Sequence, residues 1–192
     1  MSASQKDSSE LLNENERLRK EIAVLRKELA TDDLTGLYSA RHLREHLENG
    51  MDEIWGKGST PALLFIDIDY FKGINEAHGH AAAGRILRQV GRLIASLIRV
   101  DDTAFRYGGD EFVVLVTGGA EGAKGVGERI RKAIEKHEFK VRGLNGFDSV
   151  RLTVSIGMRA FQPGDSTQNI LEEADRAMFE AKRRSRNVLV AA

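Results

Sequence analysis

The stretch that most constrains this chain is Thr103–Thr117, TAFRYGGDEFVVLVT. Two β-rich runs, TAFRY and FVVLV, flank a Gly-Gly pair. Glycines between strand-like runs signal a hairpin, because a tight primed turn needs positive φ and glycine adopts it without steric cost. Asp110 and Glu111 are therefore expected beside the turn, on a rigid, solvent-accessible tip. Adjacent carboxylates at a strand end suit a hard divalent cation. Taken alone, the same pair is equally compatible with a solvated loop.

A second acidic cluster shifts that balance. Residues Ala62–Lys72 read ALLFIDIDYFK. The apolar run Ala62–Ile66 has the pattern of a buried strand, here ending in Asp67 and Asp69. Asp69 alone reads either as a turn cap or as a ligand. A buried strand ending in acids, next to a hairpin carrying two more, can assemble a two-metal site for phosphoryl transfer.

Together, RYGGDEF and the upstream LFIDIDYFKGIN resemble the GGDEF-domain diguanylate cyclases. DDLTGLY (Asp32–Tyr38), LTVSIGM (Leu152–Met158) and ADRAMFEAKRRSRN (Ala174–Asn187) agree in order and spacing. The resemblance covers Thr31 to about Asn187. It implies a ferredoxin-like α+β core related to nucleotidyl cyclases, condensing two GTP into cyclic di-GMP with loss of pyrophosphate.

Matched to the family motif, Asp67, the Ile68 carbonyl, Asp110 and Glu111 are expected ligands of Mg²⁺ or Mn²⁺, and Asp110 is also the proton acceptor. Lys72, Lys182 and Arg186 match residues that stabilise phosphate charge. Backbone N–H groups around Phe71–Lys72 are expected to cradle phosphate. Asn75 matches a base-reading position. Arg99-Val-Asp-Asp102 matches the inhibitory RxxD product site, with Arg99 and Asp102 as its contacts. Two departures stand out. Ser39 and Ala40 replace the usual Asn and Arg, and Ala83-Gly84 replaces a Gly-Asp whose acid reads guanine. Gly84 thus implies relaxed purine choice, with ATP accepted beside GTP and cyclic GMP-AMP as a further product. A reading from another class is a catalytically weak cyclic-di-GMP receptor. A third, a pure dimerisation module, leaves the acids unexplained.

Lys and Arg together number 29, as do Asp and Glu, so the formal net charge is +0 and no general attraction to nucleic acid is expected. The absence of cysteine excludes disulfides and thiol catalysis and fits a reducing cytoplasm, the expected location. No apolar run approaches membrane-spanning length and the N-terminus is polar, so neither a signal peptide nor a membrane segment is expected.

Two regions are expected: residues 1–30, a dimerising coiled-coil helix, and 31–192, the catalytic domain. In the first, Leu11, Leu18 and Leu25 share heptad position d, while Asn15, Ile22 and Leu29 share a. Glutamates at g and arginines at e complete the pattern of a parallel two-stranded coil, and the homodimer is the expected assembly. In the second, helices are expected at Ser39–Met51, before and through Ile86–Ile98, at Glu128–Glu138 and at Asn169–Arg184, capped by Ser166 or Thr167. His78-Gly79-His80 reads as a turn ahead of its helix. Gly118–Gly127 reads as a linker and Val141–Ser149 as a loop. The element order predicts a mainly antiparallel sheet with helices on one or both faces.

Overall fold

Strand β2 (Ala62–Ile68) carries no polar side chain before Asp67, and all seven of its residues are buried. A strand apolar on both faces must lie inside a sheet that is covered on both sides. The computed structural model, which describes residues 14–18, 30–55, 60–143 and 146–192, places it there. β2 pairs antiparallel with β4 (Glu111–Val116) on one side and β7 (Val154–Ala160) on the other. β3 (Thr103–Arg106) pairs antiparallel with β4, while the edge strands β1 (Tyr38–Ser39) and β8 (Leu189–Ala191) run parallel to their neighbours. The sheet order is β1-β3-β4-β2-β7-β8, mainly antiparallel as expected.

Alternate residues of β2 enter two cores. Leu64, Ile66 and Ile68 join Ile86, Val90 and Ile94 of helix α2 (Phe71–Leu97) and Val126 and Ile130 of helix α3 (Gly119–Lys136). Leu63 and Phe65 join Leu43 and Leu47 of helix α1 (Ala40–Trp55) and Ile170 and Met178 of helix α4 (Thr167–Arg184). Helix α4 lies directly on β7, because a Cβ on Gly157 would stand 2.0 Å from the Ala174 carbonyl. Ser166 caps α4 by accepting a hydrogen bond from the Asn169 N–H. No helix among the described residues is long and apolar enough to cross a membrane.

Several local expectations are corrected. β2 runs through Asp67 and Ile68 instead of ending at Ile66. His78-Gly79-His80 does not precede its helix: α2 begins at Phe71 and is broken at Gly79, whose φ of 76° interrupts the helical ladder. Gly118–Gly127 belongs largely to α3. Its five glycines lower helix propensity, but Ala123, Val126 and Gly127 are buried, and a Cβ on Gly127 would meet Leu189 at 2.4 Å. Val141–Ser149 is mostly a hairpin, β5 (Phe139–Gly143) with β6 (Gly146–Val150). Gln89 of α2 anchors it by bonding both the N–H and the carbonyl of Lys140. Of the heptad segment, residues 14–18 are described and helical; its remaining positions, and the coil they specify, lie outside the described residues.

Candidate active site

The strand register assembles the acids. Asp67 stands directly opposite Glu111 on β4 and Ser155 on β7. The Ile68 N–H donates to the Asp110 carbonyl at 3.3 Å, which carries the ladder one step past β4. Asp67, Ile68, Asp110 and Glu111 are therefore brought to one end of the sheet by backbone pairing.

The turn feeding them is not the primed turn expected. Neither Gly108 nor Gly109 lies at positive φ. Instead the N–H groups of Tyr107 and Gly108 both point at the Glu111 carbonyl. Gly108 serves close approach: a Cβ there would fall 2.2 Å from the Glu111 carboxylate. Arg106 locks this loop, donating to the carbonyls of Gly108 and Gly109 and, through Nη1, to both oxygens of Asp32 at 3.2 and 3.0 Å. Burial opposes ionisation of Asp32, but hydrogen bonds from Thr35 and the Arg106 guanidinium outweigh it and hold the carboxyl below its ordinary value. The turn after the N-terminal segment is thereby tied to the acidic hairpin.

The acids themselves are electrostatically frustrated. Burial pushes Asp67 up to about 6; the Lys182 ammonium opposes the rise, and the Asp110 and Asp69 charges add to it. Glu111 is raised by burial and by the charges of Asp67, Asp110 and Asp175. Lys182, near the end of α4, stands 2.7 Å from Asp67 Oδ1. At that distance its ammonium lowers the carboxyl both by its charge and as a donor, although the angle falls short of a well-formed hydrogen bond. Nor do three His, Asp or Glu side chains among the described residues close a ready-made metal cage. This donor set fits Mg²⁺ or Mn²⁺: Mg²⁺ commonly uses one or two carboxylates and completes its shell with water and substrate phosphate.

The remaining residues divide clearly. Asp69 is structural, being 3% exposed and accepting hydrogen bonds from Thr153 Oγ1, Ser155 Oγ and the Asn187 N–H. Lys72 is exposed and stands 3.9 Å from Glu76. It lies one residue beyond Phe71, at the open N-terminus of α2, which follows Tyr70 at φ 59°. Arg186 reaches the same place from the far end of the chain, its guanidinium 4.4 Å from the Tyr70 ring centroid. Asn75 is half-buried on the first segment of α2. Gly84 lies beyond the kink, where a Cβ would meet only Leu34, at 3.7 Å.

Arg99 and Asp102 sit apart, at the opposite end of the β3–β4 ladder. Asp102 is buried and accepts from the Arg99 N–H and the Thr117 N–H. With Glu121 and Arg129 they line a recess of about 170 Å³.

Motif reading assigned no role to Asp32, Tyr70, Arg106, Asp175 or Asn187. Arg106 and Asp32 lie inside recognisable motifs, and opposite charges there were an available signal. Tyr70, Asp175 and Asn187 also lie inside quoted motifs, but all five act through contacts distant in sequence.

Comparison with known proteins places the chain in a family. Residues 29–188 match the family described as diguanylate cyclase, GGDEF domain. The chain is 37% identical over 167 residues to diguanylate cyclase A of Treponema denticola, covering 83% of this chain and 44% of that protein. It is 36% identical over 162 residues to the response regulator PleD of Caulobacter vibrioides, covering 83% and 35%. The chain thus spans less than half the length of these curated relatives. The solved coiled coil and GGDEF domain of DgcB from Caulobacter crescentus, in complex with c-di-GMP, matches with a TM-score of 0.84 and 30% identity over 100% of both chains. The chain belongs to the GGDEF-domain diguanylate cyclase family.

Proposed function

We propose that this chain condenses two GTP molecules into cyclic di-GMP with release of pyrophosphate. The observation that carries the reading is the buried Asp67 carboxylate, raised to about 6 and facing Glu111 across the strand register. Asp67, the Ile68 carbonyl, Asp110 and Glu111 would hold Mg²⁺ or Mn²⁺. When bound, the metal supplies charge neutralisation to the triphosphate and lowers the pKa of the attacking 3′-hydroxyl. Asp110 accepts that hydroxyl's proton as the 3′-oxygen attacks the α-phosphorus and pyrophosphate departs. Lys72, Lys182 and Arg186 neutralise phosphate charge, and the N–H groups of Phe71 and Lys72 meet it at the start of α2.

Each chain holds one nucleotide, so two must face one another. The N-terminal heptads supply the partner by raising its effective concentration. Use of GTP fits a cytoplasmic location. Arg99 and Asp102 are the product-inhibition site; a guanidinium and a carboxylate suit guanine and phosphate, and the bound c-di-GMP of the DgcB structure supports that ligand class.

A second reading concerns the base. Guanine offers N1–H and N2–H donors that a carboxylate accepts, and Gly84 supplies none. An unmet buried donor costs about 1–3 kcal/mol, so guanine preference should weaken roughly ten- to a hundredfold. Adenine's N6 donor and N1 acceptor can be met by the Asn75 amide.

One assay tests both readings. Parent and Gly84→Asp are incubated with Mg²⁺ and GTP, ATP or an equal mixture, and products are identified by mass spectrometry. The expected products are cyclic di-GMP from GTP and, in the parent, cyclic GMP-AMP from the mixture, suppressed in Gly84→Asp. No cyclic dinucleotide from any mixture contradicts the cyclase reading. Cyclic di-GMP alone from both proteins, with equal GTP affinity, removes only the base reading.

A further inference from the structure

Arg186 and Asn187 follow one another at φ 54° and 49°, in the left-handed region that asparagine tolerates but that is unfavourable for arginine. Such a turn persists only if its surroundings hold it. Two anchors, Asp69 and helix α3, converge on Asn187, and a third holds the next residue. The Asn187 backbone N–H donates to Asp69 Oδ2 at 3.1 Å. Its side-chain amide donates to Glu135 Oε1 at 2.7 Å and accepts from Arg131 Nη1 at 2.8 Å, both on α3. Just beyond, the Val188 carbonyl accepts from the Ile156 N–H of β7.

The anchor points are themselves fixed. Asp69 is buried and bonded to Thr153 and Ser155. Arg131 is largely buried and paired with Glu128 and Glu135. Apart from the charge that Asp69 adds beside Asp67, none of these residues takes part in the acid cluster, and none is a phosphate-contacting cation. Their common effect is on the neighbouring residue, whose guanidinium they leave against Tyr70 at the start of α2. A long, flexible arginine loses side-chain freedom when it grips a ligand; holding its backbone and stacking its head removes part of that loss beforehand.

We propose that Asn187, keyed by Asp69 and by Arg131 and Glu135 of α3, is a positioning residue that sets Arg186 for the terminal phosphate of the nucleoside triphosphate. The proposal rests on the reading of Arg186 as a phosphate-contacting side chain. Asn187→Gly tests it, since glycine keeps the left-handed backbone but removes the amide latch.

Binding of the non-reacting α,β-methylene analogue of GTP, and of GDP, is measured by calorimetry with Mg²⁺. The proteins are the full-length parent, Arg186→Ala, Asn187→Gly and the double variant, with melting curves alongside. Arg186→Ala is expected to weaken triphosphate binding about tenfold and GDP binding little. Asn187→Gly is expected to weaken triphosphate binding roughly three- to tenfold, again sparing GDP. The double variant should be no weaker than Arg186→Ala, because the two residues act as one unit.

Four results overturn the proposal. Triphosphate binding unchanged in Asn187→Gly, while Arg186→Ala loses it, shows that the latch does not position the arm. Equal loss of both nucleotides, or additive losses, shows a merely structural role. No discrimination in Arg186→Ala itself removes the phosphate reading of that residue, and the proposal with it. Should Asn187→Gly not fold, Glu135→Ala on the exposed side of α3 serves instead: a two- to threefold selective loss supports the latch, and no loss overturns it.

Discussion

The two ends of the β3–β4 ladder both involve aspartates, and the chain treats them in opposite ways. At one end Asp67, Asp110 and Glu111 crowd together, with Asp67 buried against a single ammonium and raised to about 6. At the other, Asp102 is equally buried but accepts hydrogen bonds from two backbone N–H groups, those of Arg99 and Thr117. Six residues of β4, roughly 20 Å of strand, separate the two. Where the fold supplies donors, a buried carboxylate is fixed in place by the backbone. Where the fold supplies only the Lys182 ammonium, the charge is, on the proposed function, kept for a divalent metal ion. Asp67 and Asp69 repeat the contrast two residues apart, one frustrated and the other bonded three times.

Substitution at each end should break the comparison in opposite directions. The largest effect is expected from Asp67→Asn, which removes a ligand charge without changing shape. Turnover should fall by at least about a hundred- to a thousandfold, in the range of losing one electrostatic element of an active site. The same change should raise, or leave unaltered, the melting temperature of the metal-free protein at neutral pH, because it removes a desolvated charge. Steady-state kinetics and calorimetry check the pair of outcomes. Near-normal turnover, or a large loss of stability, would place Asp67 among the scaffold aspartates.

A smaller effect of the other kind is expected from Asp102→Ala. The N–H groups of Arg99 and Thr117, partly buried in these bonds, lose their acceptor, at a cost of about 1 kcal/mol. Denaturant unfolding should register that loss as a lower midpoint. An unchanged midpoint would show that the turn does not depend on this carboxylate.

How much of this was legible in the sequence depended on where the partners lie. The β2 and β4 strands were read correctly because continuous apolar runs have few other solutions, and the acids at their ends came with them. The hairpin was placed correctly for a wrong reason. Gly108 is not at positive φ; the Glu111 carboxylate lies close over it, and such an approach leaves no local signature. Helix α3 was half missed because its glycines speak against a helix locally, while the packing of one of them, Gly127 against Leu64 and Leu189, comes from distant strands. The structural role of Asp69 was one of two left open. It is decided by Thr153, Ser155 and Asn187, which are 84 to 118 residues away. Lys182 and Arg186 were matched through the family motif, but the contacts that aim them were not legible.

The central claim is that the frustrated end is a divalent-metal site, and its most direct measurement is Mn²⁺ binding in the presence of α,β-methylene GTP. Parent and Asp67→Asn are compared at pH 7.5 and pH 5. The folded-state value of Asp67 is raised from 3.8 to about 6. The metal-free fold is therefore favoured by the bound proton at low pH and loses that contribution as pH rises through about 6. Metal and proton compete for the same carboxylate. The account predicts tight Mn²⁺ binding by the parent at pH 7.5, about tenfold weaker binding at pH 5, and weak binding by Asp67→Asn at both. Equal binding by the two proteins, or parent binding indifferent to pH across this range, would contradict it.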